Sequence, residues 1–164
     1  MIVRRTTRLE APALCVWELI QRVDTFFYVS RGLLGFRIDG RPAERFVAGA
    51  RYRGRLWFAH VVPGWRHELH VIRLDPARRE IYTHESGGPL RVWNHSLRVE
   101  PETATSSLYT DQIEFDAGRL TSPTRIVVEL FFRYRQARLR RLARCAGVSQ
   151  SIGTTQDANG APSQ

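Results

Sequence analysis

The feature that most constrains this chain is a change of hydrophobic period along its length. From about residue 35 to residue 116, apolar and polar residues alternate with period two, and turn-forming pairs interrupt the alternation at Asp39-Gly40, Asp75-Pro76 and Gly87-Gly88. Short alternating segments bounded by glycine and proline are typical of β-strands joined by tight turns. We therefore predict about six strands in an antiparallel meander.

The residues before this region predict one strand and two helices. Residues 2–9 alternate loosely and predict a strand. Pro12 suits a first helical turn, and apolar residues then recur at helical spacing, which predicts a helix over roughly 12–22. Asp24 can cap a second short helix that closes near Gly32.

A long helix is expected after the strands. Ser122-Pro123 supplies an N-cap followed by a proline in the first turn, and the helix should end near Gly147. Its apolar stripe, which also contains Arg135, consists of Val128, Phe131, Phe132, Leu139 and Leu142. The last residues are small and polar, so we predict one domain over 1–147 and a disordered tail over 148–164.

Charge and cysteine content exclude several classes of protein. The chain has 164 residues, and all 25 of its basic residues are arginine, with a net charge of +9. Without lysine, the chain can supply neither a Schiff base nor a phosphate-binding loop of the lysine type. Cys15 and Cys145 make no disulfide framework, and no apolar run is long enough to span a bilayer. We expect a soluble, cytoplasmic protein.

The hairpin turns predict which side chains share the inner face of the sheet. The alternation in each strand fixes the face, and each turn fixes the pairing between neighbouring strands. The four expected rows are Phe58, Glu68, Glu85, Arg91 and Phe115; Leu56, His70, Thr83, Trp93 and Ile113; Gly54, Ile72, Ile81, His95 and Asp111; and Tyr52, Leu74, Arg79, Leu97 and Tyr109. A slip of two residues would change the pairs but not the face.

Two groups of polar residues on this face are candidates for chemistry. Asp111 can orient the ring of His95 and raise its basicity, or the two can instead be a buried pair that satisfies only itself. Glu68 and Glu85 facing each other would raise one pKa and create a general acid. Arg91 could instead hold both carboxylates ionised as a salt-bridged cluster at the mouth of a cavity, which we favour.

Other side chains suggest binding rather than catalysis. Trp93 and Tyr109 can donate hydrogen bonds to a ligand oxygen, or they can belong to the core. His67 and His70 fall on opposite faces of a strand, so no metal site is expected. The arginines of the last helix favour a solvated surface over a nucleic-acid site, which ranks last among the partners. Arg135 is the exception, because in the apolar stripe it can extend to solvent or bind an anion.

Several short segments are similar to those of one known superfamily. The segments are Ala11-Pro12, residues 16–20, residues 26–29, Asp75-Pro76, Arg78-Arg79, residues 85–88, residues 93–95, residues 109–113, Ala117-Gly118 and residues 132–135. Over about residues 2–145 the chain resembles the helix-grip (SRPBCC, START-like) superfamily, which includes START lipid-transfer domains, the birch-pollen allergen type and bacterial polyketide cyclases and aromatases. It looks most like the stand-alone bacterial members.

The resemblance implies an α+β helix-grip fold. In that fold a curved seven-stranded antiparallel sheet wraps around a long C-terminal helix, and two short helices lie between strands 1 and 2. A cavity between the sheet and the helix would be the default binding site. The resemblance transfers no catalytic residue, because fold does not fix function.

Residues and resemblance together lead to one expected function and one alternative. The first is a cofactor-independent cyclase or dehydratase of the polyketide type, acting on a hydrophobic, carbonyl-rich molecule by general acid-base catalysis; the alternative is a non-catalytic carrier of lipids, terpenoids or polyketides. The expected catalytic residues are His95, Asp111, Tyr109 and Glu85, and the expected ligand-binding residues are Tyr52, Leu56, Phe58, Glu68, His70, Arg91, Trp93, Ile113, Phe131 and Arg135. A homodimer is left open.

Overall fold

A computed structural model describes the backbone of residues 1–158 and the side chains of residues 1–145. The strands are β1 Ile2–Leu9, β2 Leu34–Ile38, β3 Arg51–Phe58, β4 Val62–Asp75, β5 Glu80–Ser86, β6 Val92–Pro101 and β7 Ser107–Asp116; the helices are α1 Ala13–Ile20, α2 Val23–Ser30 and α3 Thr121–Ala158. The order of the elements agrees with the sequence prediction.

The seven strands form one antiparallel sheet with the spatial order β1-β7-β6-β5-β4-β3-β2. Strands β2 to β7 are joined in a meander, and β1 closes the far side by pairing with β7. The two short helices lie between β1 and β2, and α3 packs on β1, α1 and α2. This is the helix-grip fold that the sequence predicted.

The start of α3 is fixed by the turn that leaves β7. Asp116 accepts hydrogen bonds from the Gly118 amide at 2.8 Å and from the Thr121 hydroxyl at 3.1 Å. Gly118 has a φ of +59°, which a residue with a side chain rarely adopts. These contacts hold the chain as it turns from sheet to helix, and α3 begins one residue before the predicted cap.

The predicted end of α3 near Gly147 is wrong, because the helix continues to Ala158. An isolated glycine costs a helix only about 1 kcal/mol relative to alanine, which is too little to stop one without further signals. The domain boundary at residue 147 and the disordered tail stay predictions, and residues 159–164 lie outside the described residues.

Two apolar clusters fill the space between the sheet and the helices. The larger one joins α1 and α2 to the sheet and to α3 near Leu139. The smaller one consists of Val3, Ile113, Phe115, Val128 and Phe132. Asp111 lies on β7 between Tyr109 of the larger cluster and Ile113 of the smaller one, so a carboxylate lies where the two clusters meet.

The faces of β6 and β7 were predicted correctly, but their pairing is shifted by two residues. His95 lies opposite Ile113 rather than Asp111, and Asp111 lies opposite Leu97. Because a shift of two keeps every side chain on its face, the inward set is unchanged. His95 and Asp111 are therefore diagonal neighbours, still within reach of each other.

The predicted face of the first part of β4 is wrong. The tight turn before β4 is at Ala59 and His60, not at Pro63-Gly64, so Tyr52 pairs with Leu69 and Gly54 with His67. This change is an odd number of residues and inverts the face. A bulge between Val71 and Arg73 then restores the predicted face. The residues that point inward along β4 are His67, Leu69, Val71 and, after the bulge, Leu74.

Three predicted inner-face residues of β4 are consequently outside the core: Glu68, His70 and Ile72, which is 40% exposed. Glu68 binds Arg51 and Arg53 on the outer face, so it does not face Glu85. His70 pairs across the sheet with exposed His84.

Phe58 ends its strand beside the turn and is 39% exposed, with its ring against Trp65. Arg91 is exposed next to Gly118, so the predicted cluster of Glu68, Glu85 and Arg91 does not form.

Candidate functional site

The predicted pair of His95 and Asp111 is in direct contact inside the protein. His95 Nε2 lies 3.0 Å from Asp111 Oδ1, and the two residues are 7% and 0% exposed. The imidazole ring stacks on Phe132 of α3, with ring centres 5.5 Å apart. Strand and helix therefore fix the ring, and the carboxylate fixes one of its nitrogens.

Asp111 is the centre of a larger polar group. The Tyr109 hydroxyl donates to Asp111 Oδ1 at 2.9 Å, and the Gln136 amide donates to Oδ2 at 3.4 Å. Burial raises the pKa of Asp111, but the positive charge of Arg135 and the contacts with His95 and Tyr109 together hold it below its ordinary value. Asp111 is thus an ionised carboxylate in an apolar interior.

Tyr109 keeps its proton in this position. Burial, and next the charge of Asp111, raises the pKa of its hydroxyl well above the ordinary value. The hydroxyl therefore keeps its proton at neutral pH and acts as a hydrogen-bond donor. Arg135 is 7% exposed, and its Nε has no hydrogen-bond partner among the described residues.

A second carboxylate lies on the other side of His95. Glu85 Oε1 is 3.9 Å from His95 Nδ1 and accepts a hydrogen bond from Thr83 at 3.2 Å. Its other oxygen lies 2.8 Å from His67 Nε2. Burial raises the pKa of Glu85, but His67, His95 and Thr83 outweigh it and leave the pKa below its ordinary value.

His67 is the member of this group that sequence reasoning missed. The sequence placed it on the outer face, because the turn before β4 was put too late. With the turn at Ala59 and His60, the alternation of His67 and Leu69 with the polar residues between them would have indicated an inward histidine. The group runs His67, Glu85, His95, Asp111 across β4, β5, β6 and β7.

A small cavity lies against one end of this group. Its volume is about 30 Å³, which is space for about two water molecules. The lining residues are Ile20, Thr25, Phe26, Val29, Phe46, Leu97, Tyr109, Asp111, Arg135 and Leu139. His95 is not among them, so it lies behind Asp111 as seen from the cavity.

Aromatic rings close the cavity on the side of α2. Phe26 meets Phe36 and Phe46 edge to face, with ring centres 6.4 and 6.1 Å apart. Phe46, which belongs to the irregular segment before β3, also meets Tyr52 at 5.4 Å. Tyr52 is buried as predicted, but its ring belongs to this aromatic layer and its hydroxyl donates to the Arg45 carbonyl.

The remaining predicted binding residues form part of the core and do not line the cavity. Leu56 and Ile113 are buried. Trp93 packs on Phe115 at 6.1 Å, and Phe131 lies under the Arg135 guanidinium at 5.6 Å.

Within residues 1–145, no group of three or more His, Cys, Asp and Glu side chains could hold a metal ion. No helix in the part of the chain that the structure describes is long and apolar enough to cross a membrane.

Solved structures of START-like proteins align with most of this chain. A START superfamily protein from Mycobacterium smegmatis aligns with a TM-score of 0.66 at 13% identity, over 87% of this chain and 97% of that one. Norcoclaurine synthase from Thalictrum flavum, in complex with dopamine and hydroxybenzaldehyde, gives 0.65 at 12% identity, over 87% and 85%.

The di-domain ARO/CYC protein BexL from the BE-7585A biosynthetic pathway gives a TM-score of 0.58 at 22% identity, over 86% of this chain. The alignment covers 45% of BexL, so this chain corresponds to less than half of that protein. At these identities the likeness shows the START-like fold alone.

In sequence, residues 37–143 match a family described as a domain of unknown function, DUF8410. No curated protein matches the chain.

Proposed function

We propose that this chain, which belongs to the DUF8410 family, is a cofactor-independent enzyme of the polyketide cyclase or dehydratase type. Its substrate would be a hydrophobic molecule with more than one carbonyl group. The observation that carries the proposal is the buried carboxylate of Asp111 and the buried guanidinium of Arg135 on the wall of one largely apolar cavity. Buried opposite charges beside a cavity are characteristic of sites that move protons.

Each of the three polar residues on the cavity wall has a distinct role in this proposal. Arg135 donates to a substrate carbonyl oxygen and stabilises the negative charge that develops on it, while the Tyr109 hydroxyl holds Asp111 Oδ1 in place. Asp111 accepts the proton from the adjacent carbon, which leaves an enolate. The enolate carbon attacks a second carbonyl carbon of the same molecule, and Asp111 returns its proton to the new alkoxide. Loss of that hydroxyl together with a proton from the neighbouring carbon, as one molecule of water, then gives the dehydrated ring.

His95 and Glu85 act behind the reacting groups. The sequence suggested His95 as the base, but Asp111 lies between it and the cavity, so His95 serves as a positioning residue. It holds Asp111 Oδ1 and is itself contacted on its other ring nitrogen by Glu85, which in turn contacts His67. Positioning the reacting groups in this way supplies much of the rate in an intramolecular condensation.

The cavity must enlarge before such a substrate can bind. Its volume of about 30 Å³ is far below the roughly 300–1,000 Å³ of sites for drug-sized ligands. Phe26 and Phe46 are the wall residues on α2 and on the irregular segment before β3, so their displacement would open the space most directly. The proposal thus requires movement of this aromatic layer on binding.

Two of the aligned proteins support the class of ligand, but not the reaction. Norcoclaurine synthase was solved with two small aromatic molecules, and BexL is an ARO/CYC protein of a biosynthetic pathway. The apolar part of the cavity wall suits a carrier as well as an enzyme, so the carrier remains the second candidate.

The test begins with native mass spectrometry of the purified chain and analysis of what organic solvent extracts from it. The compound recovered is then incubated with wild type, Asp111→Asn and Arg135→Met, with Glu68→Gln as a control outside the core. The proposal predicts turnover of a polycarbonyl compound by wild type and the control, and about a hundredfold or greater loss of turnover in the two core variants. A lipid that binds equally well to all four and is never converted would support the carrier instead.

A further inference from the structure

A second concave site lies outside the core, between α2 and the strands β2 and β3. It has a volume of about 370 Å³, more than ten times that of the core cavity. Phe26 and Val29 of α2 face the core cavity, whereas Phe27 and Tyr28 face this outer cleft. The two spaces therefore lie on opposite sides of the same helix.

The charged side chains that line the outer cleft are both cationic. Arg31 and Arg37 contribute guanidinium groups, and none of the described residues lining the cleft is acidic. Neither arginine forms an ion pair with a carboxylate in the described part of the chain. Most arginines on the neighbouring strands are paired, as Arg53 is with Glu68 and Arg66 is with Asp39. The cleft thus concentrates unpaired positive charge.

Aromatic rings form the rest of the wall. The Arg37 guanidinium lies over the Trp57 ring, 4.2 Å from its centre. The cleft wall therefore combines a positive charge with a flat aromatic surface. The Trp57 indole N–H is buried and has no hydrogen-bond partner among the described residues. Tyr28 is held from behind by Arg138, whose guanidinium is 4.4 Å from the ring.

The turn that closes the cleft is strained. Ala59 and His60 both have positive φ values, +46° and +62°, in the three-residue loop between β3 and β4, and residues other than Gly and Asn rarely adopt such values. The ring of His60 reaches back across the cleft and accepts a hydrogen bond from the Gly32 amide at 3.1 Å. A Cβ on Gly35 would lie 2.9 Å from His60 Nδ1, so the glycine leaves room for this ring. Backbone strain of this kind clusters at binding sites.

We propose that this cleft binds a planar aromatic anion, of the aryl carboxylate class. The ring would lie among Phe27, Tyr28 and Trp57, and the carboxylate would bind Arg31 and Arg37. Guanidinium and carboxylate match in shape and charge, and the aromatic walls select a flat molecule over an aliphatic one. The site is separate from the core cavity and does not depend on the catalytic proposal.

The test uses 2-naphthoate as the probe. The protein is labelled with ¹⁵N-tryptophan, which gives indole signals from its 4 tryptophans, and the Trp57 signal is identified as the one missing in Trp57→Phe. We expect this signal to move saturably on titration. Calorimetry should show that Arg31→Gln/Arg37→Gln weakens binding about tenfold or more, whereas exposed Arg140→Gln changes it less than about twofold. The uncharged analogue 2-naphthalenemethanol should bind at least about tenfold more weakly than 2-naphthoate.

Three results would overturn the proposal. One is the absence of saturable binding below about 10 mM, weaker than a built site provides. Another is saturable binding that moves other indole signals and leaves that of Trp57 in place, since the probe would then lie elsewhere. A third is equal affinity of wild type and the double arginine variant, which would show that the two cations do not recognise the carboxylate.

Discussion

Asp111→Asn should destabilise the fold through Arg135 as well as through its own lost contacts. The substitution keeps the size of the side chain but removes the negative charge that interacts with the Arg135 guanidinium, which is only 7% exposed and lines the same cavity. Breaking a buried charge pair by removing one member costs about 3–5 kcal/mol, because the other charge stays buried without compensation. Asparagine can still accept from the Tyr109 hydroxyl, so we expect about 3 kcal/mol, the lower end of this range.

The same reasoning predicts that a second substitution repairs the first. In Asp111→Asn/Arg135→Met neither charge is buried, and such replacements by apolar groups are often close to neutral. We expect the double variant to recover at least about half of the roughly 3 kcal/mol lost in Asp111→Asn, which means a coupling of at least about 1.5 kcal/mol between the two positions. In thermal unfolding the single variant should lose about 6–12 °C, at roughly 2–4 °C per kcal/mol for a chain of this size.

Urea unfolding of the two single variants, the double variant and wild type measures this coupling directly. Glu68→Gln serves as the control, because its carboxylate pairs with Arg51 and Arg53 on the outer face and should contribute at most about 1 kcal/mol. A loss below about 1 kcal/mol for Asp111→Asn, or single losses that add within about 0.5 kcal/mol, would refute the electrostatic link between Asp111 and Arg135.

Three further outcomes follow from other parts of the structure. The pKa of Glu85 in the folded protein lies below its ordinary value of 4.5, so its ionised carboxylate stabilises the fold above pH 4.5, and this stabilisation is lost as the pH falls through the folded pKa. Urea unfolding at several pH values should therefore show that the free energy of unfolding of Glu85→Gln depends less on acid than that of wild type. Gly54→Ala would place a Cβ 2.1 Å from the Arg37 carbonyl oxygen, so thermal melts should show a loss of at least about 1–3 kcal/mol. Gln136→Leu removes the donor to the Arg5 carbonyl, 2.9 Å away, and calorimetric unfolding should show a loss of about 1–2 kcal/mol.

The order of strands and helices could be predicted from the sequence because each element has its own hydrophobic periodicity and is bounded by its own turn or capping residues. The contact between His95 and Asp111 was also found, although the predicted pairing was two residues away from the true one. An even slip leaves each side chain on its face, and diagonal neighbours on one face still touch when their side chains are long. Alternation therefore predicts the members of a site better than it predicts their pairing.

Which side chains of β4 belong to the site could not be predicted in the same way. A turn at Ala59 and His60 contains no glycine, proline or asparagine, and the visible signal at Pro63-Gly64 lies inside the strand. One misplaced turn put Glu68 inside and His67 outside. The small volume of the core cavity was equally hidden, because it depends on how aromatic rings of four separate elements interdigitate.

The bulge in β4 has a consequence for how this protein can be re-engineered. Ile72 is the extra residue of the bulge. It separates the part of β4 whose strand pairing is set by the turn at Ala59 and His60 from the part whose pairing is set by the turn after Asp75. Each hairpin carries its own alignment, and the bulge absorbs the mismatch between them. The loop of one hairpin can therefore be exchanged for another of different length while the register of the other hairpin, with the core residues it carries, stays in place.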